Sequence, residues 1–113
     1  MQQVFLRTLI LTLFLSFLAS CQKDDNKDTV KPWIELKGFN PVYTPLNEPY
    51  VDSGAVAWDV NAYGDTVNIS DRLVITNNVN TAEIGKYVVR YNVEDEAGNK
   101  AEEVTRTVYV QIF

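Results

Sequence analysis

Along the last third of the chain, apolar and polar residues alternate with a period of two. Tyr87, Val89, Tyr91 and Val93 fall on one side of an extended chain, and Val88, Arg90, Asn92 and Glu94 on the other. This is the pattern of a strand half-buried against a core. The alternation returns at Val104, Val108, Val110 and Ile112, set against Thr105, Thr107, Tyr109 and Gln111. Between the two runs lies Asp95-Glu96-Ala97-Gly98-Asn99. There Asp95 can accept from the amides just ahead of it and Gly98 can take a positive φ, so the pair is predicted to be an antiparallel hairpin.

Upstream the elements are shorter. Pro32 blocks a helix and opens an edge strand from Trp33 to Lys37, with Ile34 and Leu36 opposite Trp33 and Glu35. Pro41, Pro45 and Pro49 punctuate a stretch that is extended or turning. Gly54 to Asp59 predicts a strand with Ala55 and Ala57 on one face and Val56 and Trp58 on the other. Gly64-Asp65 marks a turn, and Val67 to Ile75 is again β-prone. Asn77, Asn78 and Asn80 form a polar loop before Gly85 opens the penultimate strand. No segment here has helical periodicity. The reading is an all-β, antiparallel sandwich of about seven strands. Its core should set Tyr87, Val89, Tyr91, Val108 and Val110 against Ile34, Leu36, Ala55 and Ala57.

The N-terminus is patterned differently. Leu9 to Leu18 is apolar apart from Thr12 and Ser16, with Arg7 as a positive flank. A helix of that length spans about 15 Å, half of a ~30 Å hydrocarbon core, so it predicts a signal peptide and not a membrane span. The quartet Leu18-Ala19-Ser20-Cys21 that follows resembles the lipobox of bacterial lipoproteins. That resemblance implies cleavage before Cys21 and acylation of its thiol and new amino group. Residues 1–20 are then the leader, 21–30 an acidic disordered tether and 31–113 the folded domain. Gln22-Lys23-Asp24-Asp25 resembles the signal by which some diderm bacteria export lipoproteins across the outer membrane. The expected location is the outer membrane and its outer surface, with the periplasmic leaflet as the alternative.

Charge and missing residue types narrow the chemistry. The chain has 10 basic and 15 acidic residues; cleavage removes only Arg7, leaving nine against fifteen and a net charge of −6. An acidic domain without a basic cluster is unsuited to nucleic acid. There is no histidine and a single cysteine, which lipid consumes. A Cys/His metal site, a Ser-His or Cys-His couple and a disulfide are all excluded. No enzyme activity, cofactor or metal is assigned.

The succession Gly54-Ala55-x-Ala57-x-Asp59, Gly64-Asp65, Gly85-x-Tyr87-x-Val89-x-Tyr91-x-x-x-Asp95-x-Ala97-Gly98-Asn99-x-Ala101 and Arg106-x-Val108-x-Val110 resembles the bacterial surface Ig-like domain. This family, formerly a domain of unknown function, includes modules repeated in a pesticidal crystal toxin. The resemblance runs from about Pro32 to Ile112. It implies an Ig-like sandwich in a secreted or surface protein, and no reaction. The chain departs from the family at Asn61-Ala62-Tyr63-Gly64-Asp65, where members usually carry an acidic-glycine-acidic turn, so no ion-binding role is carried to that turn.

Three sets of side chains bear on function. Asp52, Asp59, Asp65 and Asp95 offer hard oxygen ligands suited to calcium, but each is expected to cap its own turn. Glu94, Asp95 and Glu96 point alternately from a strand end and do not make an acid/base pair. Trp33, Trp58, Tyr63 and Tyr109 lie off the main core face. Of these, Trp58, Trp33 and Tyr63 are the residues that would contact a glycan. Two functions follow: a lipid-anchored, surface-exposed, non-enzymatic module for adhesion or assembly, or a small glycan-binding lipoprotein of a polysaccharide-uptake system. The expected partners are the membrane, through lipid on Cys21, and a surface protein or polysaccharide. The second function needs Trp33, Trp58 and Tyr63 together on one exposed face.

Overall fold

The computed structural model describes residues 28–113. The leader, Cys21 and the tether as far as residue 27 lie outside the described residues. Seven strands form: β1 (Trp33–Leu36), β2 (Val42–Pro45), β3 (Ala55–Val60), β4 (Thr66–Asn68), β5 (Val74–Asn77), β6 (Gly85–Asn92) and β7 (Val104–Gln111). One 3-10 turn, Ser70–Arg72, divides the β-prone stretch after Val67 into two strands. The chain is an all-β sandwich with a three-stranded sheet, β1-β3-β4, and a four-stranded sheet, β2-β7-β6-β5.

The hairpin of β6 and β7 is the backbone of the larger sheet, paired antiparallel from Gly85↔Val110 to Tyr91↔Val104. Beyond it, Glu94 bridges Lys100. From the first of these pairings to the second the register shifts by one residue, so the returning chain carries one extra residue as a bulge. At the turn the Asn99 amide donates to Asp95 Oδ1 at 2.8 Å. Gly98 sits at φ 91°, a conformation that a side chain would oppose.

One pairing is not legible from alternation: β2 runs parallel to β7, with Val42↔Val108 through Pro45↔Gln111. Asn40 seats it. Its side-chain oxygen accepts from the Thr107 amide at 3.0 Å, and its amide donates to the Thr105 carbonyl at 3.3 Å. One side chain thus extends the ladder ahead of the strand. Pro45, unable to donate, closes this edge strand.

The core contains Ile34, Ala55 and Ala57 from one sheet and Val89, Tyr91, Val93 and Val108 from the other. Val110 is buried beside them. Two placements differ from the alternation. Tyr87 is only half-buried, and its hydroxyl reaches out to donate to the Glu83 carbonyl at 2.9 Å. Ile112 is 72% exposed because β7 ends one residue before it. Val108→Ala should cost about 1–3 kcal/mol through lost burial and a small cavity, whereas Thr107→Ala should be nearly silent. Urea midpoints rank the two, and the reverse order would mean that β7 is assigned one residue out of register.

Candidate functional site

The three-stranded sheet places Trp33 directly opposite Trp58 in the β1–β3 register. Burial alternates along both strands, with Ile34, Ala55 and Ala57 inward, so both indoles project from the outer face. Trp33 is 38% exposed and Trp58 half-buried. Tyr63 stands in the β3–β4 turn at the same end of the sheet and is 89% exposed. That turn is shaped by Asn61, whose side-chain oxygen accepts from the Tyr63 and Asp65 amides, both at 2.9 Å. Tyr109 belongs to the other sheet, where it stacks on Tyr43 with centroids 5.3 Å apart. The sandwich therefore carries one aromatic pair on each sheet.

The opposite parity of β3 leads to a different place. Ala55, Ala57 and Asp59 face inward, and Asp59 at the strand's end is only 6% exposed. It does not cap its own turn. Its Oδ1 is buried without a hydrogen-bond partner. Asp28, Asp59 and Asp95 each bring a carboxylate oxygen within 4.8 Å of the others. They line a cavity of about 550 Å³ whose wall also holds Asn61 and Asp71. Asn99 organises the group: its side-chain amide donates to Asp95 Oδ2 and to the Asp28 carbonyl, both at 3.0 Å.

The two buried carboxylates differ in charge preference. Burial pushes the Asp59 carboxyl up, the Val60 amide offsets part of this, and negative Asp95 and Asp28 push it up again. Burial also acts on Asp95, but the Asn99 side chain and the amides of Asn99, Ala97 and Gly98 outweigh it and hold this carboxyl below its usual range. Sequence alternation shows that Asp59 shares its face with two alanines. Asp28 had no such signal, since it lies in the polar segment and not on a strand.

Asp52 does something else again. It accepts from the Gly54 amide at 2.9 Å, from the Tyr50 hydroxyl at 2.5 Å and from the Tyr91 hydroxyl. Its ion-pair partner is Arg106, with Nε 3.1 Å from Oδ1. Arg106 is fully buried on β7 among the core valines. It also donates to the carbonyls of Lys37 at 2.6 Å, Gly54 at 2.9 Å and Phe39. Burial pushes the Asp52 carboxyl up, but the tyrosine hydroxyls, the Gly54 amide and Arg106 together hold it below its usual range. Every partner here is internal, so the network cross-links the β1–β2 and β2–β3 connections and is not a binding site. Asp65 is exposed in its turn and joins neither set.

Two packed sheets of three and four strands, closed by a β6–β7 hairpin and an Asp-x-Ala-Gly-Asn turn, define an Ig-like β-sandwich. The chain belongs to the family described as bacterial surface protein, Ig-like domain, whose model matches residues 34–110. No curated protein sequence matches the chain. Among solved structures it is similar to the crystal structure of the lipoprotein BT2262 from Bacteroides thetaiotaomicron, at 26% identity and a TM-score of 0.57. The likeness covers 72% of this chain and 38% of that one, so the chain spans well under half the length of this neighbour.

Proposed function

We propose that this chain is a lipid-anchored Ig-like module displayed on the outer surface of the outer membrane, where it serves adhesion or assembly without catalysis. The carrying observation is the coincidence of two independent features in one chain. One is the lipobox ending at Cys21, and the other is a surface-protein Ig-like domain matched over residues 34–110. A lipoprotein among its structural neighbours supports the same reading. No helix among the described residues is long and apolar enough to cross a membrane, which is in keeping with attachment through acyl chains on Cys21. In this reading the ordered domain presents its sheet faces and loops to a surface protein.

One observation favours the glycan-binding reading as a second choice. Trp33 and Trp58 are cross-strand neighbours on an outer face, and Tyr63 extends from the same end of the sheet. Aromatic side chains gain contact area at low ordering cost, and sugar rings stack on them. Electrophoresis through polysaccharide gels separates the two functions. The adhesion reading expects unretarded mobility. The glycan reading expects retardation that Trp58→Ala abolishes, at a stability cost of only about 1 kcal/mol for the lost cross-strand contact. A much larger loss of stability from that variant would make Trp58 a packing residue and remove the main support for glycan binding.

A further inference from the structure

We infer that Asp28, Asp59 and Asp95 form a site for a divalent cation of the calcium type, which fastens the end of the membrane tether to the domain. Three segments far apart in sequence converge there: the polar run before β1, the inward-facing end of β3, and the β6–β7 turn. Oxygens that share one Ca²⁺ at about 2.3–2.6 Å stand no more than about 5 Å from one another. All three carboxylates meet that condition, each having an oxygen within 4.8 Å of the others.

Proximity alone does not make a site, because acidic groups often cluster without an ion. The second observation is Asp59 itself. It is more than nine-tenths buried, lines the cavity, and leaves Oδ1 without any donor. A buried carboxylate oxygen without a partner is costly, and two further carboxylates beside it raise that cost. A hard cation relieves both at once. The surroundings fit this role. Asp95 is held by the Asn99 amide and side chain, and Asn99 also grips the Asp28 carbonyl, so two of the three ligand-bearing residues are positioned by one side chain. Asp71 on the cavity wall offers a further oxygen for an ion that takes six to eight, and Arg72 on the same wall is drawn off to the Glu94 carbonyl at 2.7 Å.

Asp28 lies seven residues after Cys21. Binding there joins the anchoring segment to the sandwich, so the cation would set how the domain stands on its lipid. The cation site uses neither tryptophan, and only its role in fastening the tether rests on the lipid-anchored reading.

The test is thermal melting and calorimetry of the full acylated chain in detergent, with Ca²⁺ alone as the probe. Extracellular modules bind Ca²⁺ with Kd values of about 10⁻⁴–10⁻³ M. About 10 mM Ca²⁺ should therefore raise the melting midpoint over that in chelator by roughly 5–15 °C. Asp59→Asn removes the buried charge without removing its volume. It should melt higher than the wild type in chelator yet lose the calcium shift. Asp28→Asn takes away one of the two carboxylates that crowd Asp59, so it should raise the chelator midpoint slightly and weaken calcium binding about tenfold. Identical wild-type midpoints with calcium and with chelator, together with no heat of binding, would overturn the inference. So would a calcium shift that survives in Asp59→Asn, or an equal shift with Mg²⁺.

Discussion

Replacing Arg106 with alanine is expected to destabilise the domain by about 3–5 kcal/mol, the penalty of breaking a buried ion pair and leaving one charge uncompensated. For a domain of about 84 residues, total stability is on the order of 4–12 kcal/mol, so the variant should be largely unfolded at moderate urea. The cause is specific. Arg106 is fully buried, and its guanidinium serves Asp52, the Tyr91 hydroxyl and the carbonyls of Lys37, Phe39 and Gly54. Alanine strips Asp52 of its counter-charge and removes the side-chain donor from the Lys37 and Phe39 carbonyls, while opening a cavity between the sheets. Arg106→Lys should recover only a small part, because a point charge cannot satisfy acceptors that a planar fork reaches in several directions. Urea denaturation of wild type and both variants measures this. An alanine variant within 1 kcal/mol of the wild type would show that the network contributes nothing to the fold.

Arg106 also shows where sequence reading of this chain succeeds and where it stops. Alternation along β6, β7 and β3 was enough to place Val89, Tyr91, Val108, Ala55 and Ala57 in the core, because a half-buried strand imposes a strict period of two. The same parity puts Arg106 among valines and Asp59 behind two alanines. A charged residue on a core-facing parity is a signal in itself: it must have a buried partner or an unmet need. Which of the two applies is decided by residues far away in sequence. Asp52, the Tyr91 hydroxyl and three backbone carbonyls answer for Arg106, whereas the side chains gathered around Asp59 are further carboxylates. Partners of that kind arise from chain crossings that periodicity does not encode. The parallel pairing of β2 with β7 was hidden for the same reason, since three prolines mark Pro41 to Pro49 as extended without saying which edge it joins. The aromatic set was legible as outward-facing. Its division, with Trp33 and Trp58 on one sheet and Tyr109 with Tyr43 on the other, required the strand order.

The second large effect concerns the anchor. Cys21→Ser should move the protein almost entirely from the membrane to the soluble fraction. Each buried methylene contributes about 0.8 kcal/mol, so two or three long acyl chains hold a protein far more firmly than one chain, whose attachment is marginal. The chain carries 15 acidic against 10 basic residues, a balance unsuited to holding an anionic surface instead. The domain itself should be untouched by the change, since the core of the described residues is built from Ile34 onward. The most direct measurement is the intact mass of the wild-type protein extracted from membranes, taken alongside fractionation of the Cys21→Ser variant. The account predicts a chain that begins at Cys21 and carries acyl chains, and a variant that is soluble. A wild-type chain retaining residues 1–20, or a variant that stays with the membrane, would contradict it.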